Sequence, residues 1–140
     1  MLILPLSQIT QFCNPFESVV WRGLQTPILL SEIDDAIESN AYQDANKPYS
    51  KMFISRKEHI KRIAYLVINK QTDPIEIETE ANWLVNDGNH RLAAAIYRND
   101  ETINVAFYGV LEKIEYLFGG EIAKQVEELW DLENQKTAGV

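Results

Sequence analysis

The stretch from Trp83 to Ile96 most narrows what this chain can fold into. Three apolar residues suited to a strand, Trp83, Leu84 and Val85, run into the polar corner Asn86-Asp87-Gly88-Asn89-His90-Arg91. An alanine-rich run with the composition of a helix follows. Gly88 has no Cβ, so the backbone there can turn tightly or come close to a ligand. Asn86, Asp87 or Asn89 can cap the helix by accepting from its first amides. The remaining amides, with His90 and Arg91, make the helix start a candidate site for a phosphate or a carboxylate.

Flanking segments give the corner its context. Ser55 and Glu58 form a Ser-x-x-Glu capping box. They open a helix from Arg56 to Asn69 whose Ile60, Ile63, Ala64, Val67 and Ile68 recur on one face. Pro74 leads into Ile75, Ile77 and Thr79, which alternate with Glu76, Glu78 and Glu80 as in a strand with one wet face. Beyond the alanine-rich helix, Ile103 to Tyr108 alternates again and predicts a closing strand. Leu111 to Phe118 suits a short helix broken at Gly119-Gly120. Ile122, Val126, Leu129 and Trp130 then stripe an acidic helix from Glu121 to Asn134, and the tail from Gln135 should fray.

The first half is less regular. Leu2 to Leu4 is a short strand candidate with Pro5 at its end, and Ser7 starts a helical turn through Phe12. Phe16 to Leu24 fits either a short helix or a strand. Thr26 to Leu30 reads as a short buried strand, with Ser31 as N-cap of a helix in which Asp34 reaches back. Ser39 to Met52 reads as an extended loop, a length that is often functional. Trp21, Trp83 and Trp130 are expected in the core.

The box Asp87-Gly88-Asn89-His90-Arg91-Leu92-Ala93-Ala94-Ala95 resembles the Asp-Gly-x-His-Arg-x-x-Ala box of the ParB/sulfiredoxin superfamily. The order of elements from about Ser55 to Gly109 is similar too, and Met1 to Pro15 resembles the family's first strand and loop. The resemblance implies a compact α/β fold with a small mixed sheet flanked by helices and an extra C-terminal acidic helix. The chain then reads as one domain over 1–140, with its core at about 1–110 and a helical extension at about 111–134. It implies that Gly88, Asn89, His90 and Arg91 hold nucleotide phosphates, ATP or CTP with Mg2+.

The same comparison separates branches of the superfamily. Sulfiredoxin-like members carry a cysteine immediately before the His-Arg pair, where this chain has Asn89, and Cys13 lies outside the box. Sulfinic-acid reduction is therefore not expected. Partitioning proteins carry an arginine-rich box and further DNA-binding and dimerisation domains, whereas only about 30 residues follow the closing strand here. Small nucleotide-dependent kinases with a related box use a glutamate from an early loop, and the resemblance makes Glu17 the candidate for that role. The expected function is a nucleotide-dependent phosphohydrolase or kinase with Glu17, Asp87 and His90 as catalytic candidates. A non-catalytic binding or regulatory module acting through the acidic surface is the alternative, and a ParB-like nuclease the third.

Each of these residues has a plainer role available. Asp87 can simply cap, Arg91 can pair with Asp87 or a strand glutamate, His90 can be a hydrogen-bonded structural residue, and Glu17 can be a surface carboxylate.

Charge sharpens the choice of partner. The net charge is −8, which argues against general nucleic-acid affinity, since that depends on lysine and arginine neutralising phosphates. Seven of the 13 basic residues nevertheless fall between Lys47 and Lys70, where Glu58 is the only acid. That band is either a phosphate funnel or the solvated side of a helix. The acidic C-terminal helix offers a face to a protein partner. A single cysteine and two histidines argue against a structural zinc site and fit a reducing compartment. No apolar run is long enough to cross a membrane, and the first residues lack the features of a signal peptide, so the expected location is the cytoplasm.

Overall fold

The computed structural model describes residues 1–45, 54–81 and 83–138. The fold is mixed α/β. Its elements run β1 (Leu2–Pro5), α1 (Leu6–Thr10), α2 (Leu30–Glu38), α3 (Arg56–Ile68), β2 (Ile75–Glu78), β3 (Val85–Asp87), α4 (Asn89–Arg98), β4 (Thr102–Tyr108), α5 (Leu111–Phe118) and α6 (Gly120–Ala138). The four strands form one sheet in the order β1-β4-β2-β3.

Strand pairing follows from the connections. β2 and β3 pair antiparallel, with Ile77 opposite Val85 and a register shift between Glu76 and Ile77. β2 and β4 pair parallel, Ile75 opposite Val105 and Ile77 opposite Phe107. Parallel neighbours need a long crossover, and α4 supplies it. β1 closes the other side antiparallel to β4, Leu4 opposite Ile103.

The strand alternation is reproduced: Ile75, Ile77, Val105 and Phe107 are buried, while Glu76 and Glu78 are half-exposed. These side chains join Leu4, Ile9, Leu92 and Ala95 with Ile114, Phe118, Ile122 and Val126 of α5 and α6 in one core. A second core holds Trp21, Ile28, Ile33, Ala36, Ile63, Ala64 and Ala93. α4 serves both, through Leu92 and Ala95 on one side and Ala93 on the other. Small alanines permit that close double packing, and Tyr97 Oη bonds to Asp34 across to α2.

Several expectations are corrected. Thr26 to Leu30 is not a strand: α2 starts at Leu30, and of its three apolar residues only Ile28 is buried. The helix start is organised by Glu32, not by Ser31 and Asp34. Glu32 Oε1 accepts from the Leu29 amide at 3.0 Å, and the carboxylate also binds the Arg56 guanidinium. Ser7 does not cap α1, which begins at Leu6 after Pro5. Phe16 to Leu24 forms turns and irregular chain.

The α3 capping box forms as expected, with Ser55 Oγ accepting from the Glu58 amide. Its buried face is rotated from the expected one, to His59, Ile63, Ala64 and Leu66, leaving Ile68 exposed. α6 stays helical to Ala138, past the expected end at Asn134. Its Trp130 Nε1 donates to Phe107 O, so the stripe lies on the body of the domain. Trp83 is 42% exposed and is not a core residue. Lys47 and Lys51, and the loop from 46 to 52, lie outside the described residues. Among the described residues no helix is long and apolar enough to cross a membrane.

Candidate functional site

The corner after β3 is built by Gly88. Its φ of 100° lies in the left-handed region. A Cβ placed there would meet Ile75 Cγ2 at 2.7 Å and Ile75 Cα at 3.0 Å. Only glycine combines that dihedral with so close an approach to β2. Gly88 is itself the N-cap of α4, and no side chain caps the helix. The expected caps do other things. Asn89 Nδ2 donates back to Val85 O at 3.2 Å, and Asp87 points its carboxylate toward Arg91. The first-turn amides and the positive end of the helix dipole therefore have no side-chain anion of their own.

A cavity of about 210 Å³ opens on this helix start. Asn86 to His90 form one wall, and Val20, Trp21, Arg22, Ile54 and His59 form the other. At its base the two histidines meet. His59 Nδ1 and His90 Nε2 lie 2.9 Å apart, so one ring donates its N–H to the lone pair of the other. Trp21 lies over both rings, at 4.6 Å from His59 and 4.7 Å from His90. Burial pushes the pKa of His90 down to about 3, helped by the nearby His59, Arg62 and Arg91. Burial also lowers that of His59, against the opposing Glu58 carboxylate. Both imidazoles are neutral at pH 7.

A second cavity of about 270 Å³ adjoins the first. Val20, Arg22, Asn86 and Asn89 stand in the walls of both, and Ala81, Trp83 and Val85 complete the outer one. Arg22 is exposed and makes no hydrogen bond or ion pair among the described residues. Among the described residues three buried side-chain polar atoms lack a partner: Trp21 Nε1, Asn89 Oδ1 and Arg91 Nε.

The predicted site residues separate. Asp87, Gly88, Asn89 and His90 share the inner cavity. Arg91 turns away: its Nη2 donates to Pro74 O at 3.1 Å and reaches Asp87 Oδ2 at 3.4 Å, and it lines another cavity with Lys70 and Arg98. Adjacent helix residues point about 100° apart, and that angle puts His90 and Arg91 on different sides of α4. Glu17 is exposed in the turn after Asn14 and stands in neither cavity wall.

Arg22 and His59 are not among the predicted site residues, and Trp21 is expected only in the core. His59 did leave a trace, since it precedes Ile63 by four and Leu66 by seven, the spacing of a buried stripe. The basic band is largely engaged within the fold. Arg56 binds Glu32 and the carbonyls of Thr26 and Pro27, Lys61 lies near Asp44, and Arg62 donates to Ala45 O.

No family model, curated protein or solved structure matches this chain. Among the described residues no group of three or more histidine, cysteine or acidic side chains is placed to hold a metal ion.

Proposed function

We propose that the chain is a nucleotide-phosphate-binding domain of the ParB/sulfiredoxin type. One observation carries the reading: an uncapped helix start opens into a cavity beside Arg22, whose guanidinium has no partner among the described residues. Backbone amides and a helix dipole favour anions, and a planar guanidinium matches phosphate oxygens in pairs. Gly88 lets the corner pack closely on β2. Arg91, the family's expected phosphate ligand, acts here as a rear brace that ties the corner to β2. The Mg2+ of a nucleotide triphosphate needs only one or two protein carboxylates beside phosphate and water. Asp87, 64% exposed by side chain, is the carboxylate in place for it.

Phosphohydrolase or kinase chemistry is a second reading, favoured by that same carboxylate at the cavity mouth. Asp87 would take the proton of an attacking water or hydroxyl as the bond from the terminal phosphorus to the leaving oxygen breaks. A module acting through the acidic surface of α6 is the alternative, and a nuclease finds less support, because Arg56, Lys61, Arg62 and Lys70 of the basic band have internal partners.

Calorimetric titration with ATP, CTP and inorganic tripolyphosphate, with and without magnesium, tests the reading. Arg22→Ala should weaken tripolyphosphate roughly ten- to a hundredfold, the scale of a lost charge-assisted bond. Arg91→Ala should leave that affinity within about twofold, because the side chain faces the other cavity. Absence of heat with all three ligands would refute phosphate binding.

A further inference from the structure

We propose that the outer cavity is a base subsite in which Trp83 stacks on the aromatic ring of a nucleotide whose phosphates sit at the α4 corner. The inference rests on the phosphate-binding reading and adds to it the place where the base is held. Three features of the molecule point the same way.

Trp83 is the tryptophan that the fold leaves unused. Trp21 is 4% exposed over the two histidines, and Trp130 is fixed by its bond to Phe107 O, while Trp83 stays 42% exposed in a cavity wall. An accessible indole beside a groove is the usual platform for a nucleobase, because every base presents a π face.

The two cavities also differ in chemistry. Asp87, Gly88 and His90 belong to the inner one alone. The outer one holds Trp83, Val20 and Val85 with the amides of Asn86 and Asn89, and no carboxylate among the described residues lines it. Charge is thus handled inside and an uncharged planar group outside, with Arg22 in the wall between them.

Size is the third feature. Each cavity alone falls below the roughly 300–1,000 Å³ typical of small-ligand sites. Joined through their four common residues, they form one bipartite cleft, whose two halves fit the two chemically distinct ends of a nucleotide.

The experiment compares ATP, CTP and tripolyphosphate on the wild-type protein and on Trp83→Ala and Trp83→Phe, by calorimetry with melting curves alongside. Wild type should bind at least one nucleotide more tightly than tripolyphosphate. Trp83→Ala should weaken that nucleotide roughly five- to a hundredfold, as expected for a lost base stack. It should leave tripolyphosphate unchanged, and Trp83→Phe should recover part of the loss. If tripolyphosphate binds while both nucleotides bind no better, or if Trp83→Ala leaves nucleotide affinity intact, the base subsite is overturned and the phosphate corner stands. Equal losses for nucleotide and tripolyphosphate in Trp83→Ala mean that Trp83 merely supports the corner, and overturn the subsite as well. If no ligand binds the wild type, the corner reading fails first and the subsite falls with it.

Discussion

Gly88→Ala puts the corner geometry to its most direct test. Two penalties act at that position. A left-handed φ costs an L-residue with a Cβ roughly 1–2 kcal/mol. The new methyl also lands 2.7 Å from Ile75 Cγ2 and 3.0 Å from Ile75 Cα. Ile75 is fully buried in β2 and paired with Val105, so it cannot step aside as the nearby Arg91 Nη2 can. Forcing a methylene into packing that tight costs a further 1–3 kcal/mol or so. Set against a total stability of about 5–15 kcal/mol, the substitution should remove a large share. At about 2–4 °C per kcal/mol for a chain of this size, the combined loss of about 2–5 kcal/mol should lower the melting temperature by roughly 4–20 °C. Gly23→Ala is the internal control. Its φ of 83° carries the same kind of strain, yet a Cβ there meets nothing within 4 Å. Urea melts of both variants isolate the steric part as their difference. A Gly88→Ala protein no less stable than Gly23→Ala would show that β3 and α4 do not pack against β2 in this way.

Two further outcomes follow from the ionisable groups. The unfolded chain binds protons at its histidines near pH 6.5, whereas His90 binds one only near pH 3 in the fold. Unfolding therefore takes up protons in that window and stability rises with pH. The unfolding free energy from denaturant melts should fall as the pH drops from 7.5 toward 4.5, by up to about 1.4 kcal/mol per pH unit for this group, and His59 adds in the same direction; a flat profile between pH 7 and 5 would refute a neutral buried pair. Arg56→Ala should cost on the order of 1–2 kcal/mol in urea melts, because it releases a two-pronged contact to Glu32 and two carbonyls while staying part-exposed, and Arg56→Lys should recover little of it. A loss below about 0.5 kcal/mol would class the contact with ordinary surface pairs.

Much of the fold was legible where periodicity and caps agree. Ile75 and Ile77 alternate with glutamates, Ser55 and Glu58 form their reciprocal cap, and the break between α5 and α6 falls at Gly119, with Gly120 opening α6. The misreadings share a cause. Thr26 to Leu30 has strand composition, but burial of Ile28 alone and a cap from Glu32 decide the local structure, and the Glu32–Arg56 contact spans 24 residues. A local pattern carries no trace of a partner so distant. The site divides in the same manner. Asp87, Gly88, Asn89 and His90 were visible as neighbours in sequence, and they remain neighbours in space. Trp21, Arg22 and His59 come from other segments and join the corner only through tertiary packing, which a linear motif does not encode.

The neutral histidine pair limits what the corner can do. Two imidazoles at 2.9 Å share one hydrogen bond, and a second charge beside Arg62 and Arg91 would be buried at high cost, so His90 carries no imidazolium at pH 7. It therefore cannot serve there as a strong proton donor to a leaving phosphate. What the pair supplies is position: His59 belongs to α3, His90 to the first turn of α4, and Trp21 covers both rings, so the helix start is held against the rest of the second core. Among the described residues, the positive charge facing an anion there comes from the α4 dipole and from Arg22, and Asp87 is the carboxylate in the wall of this cavity. A corner that fixes its amides rigidly while keeping its histidines uncharged is better suited to gripping phosphate than to protonating it, which is why binding, with chemistry second, is the order in which the two readings stand.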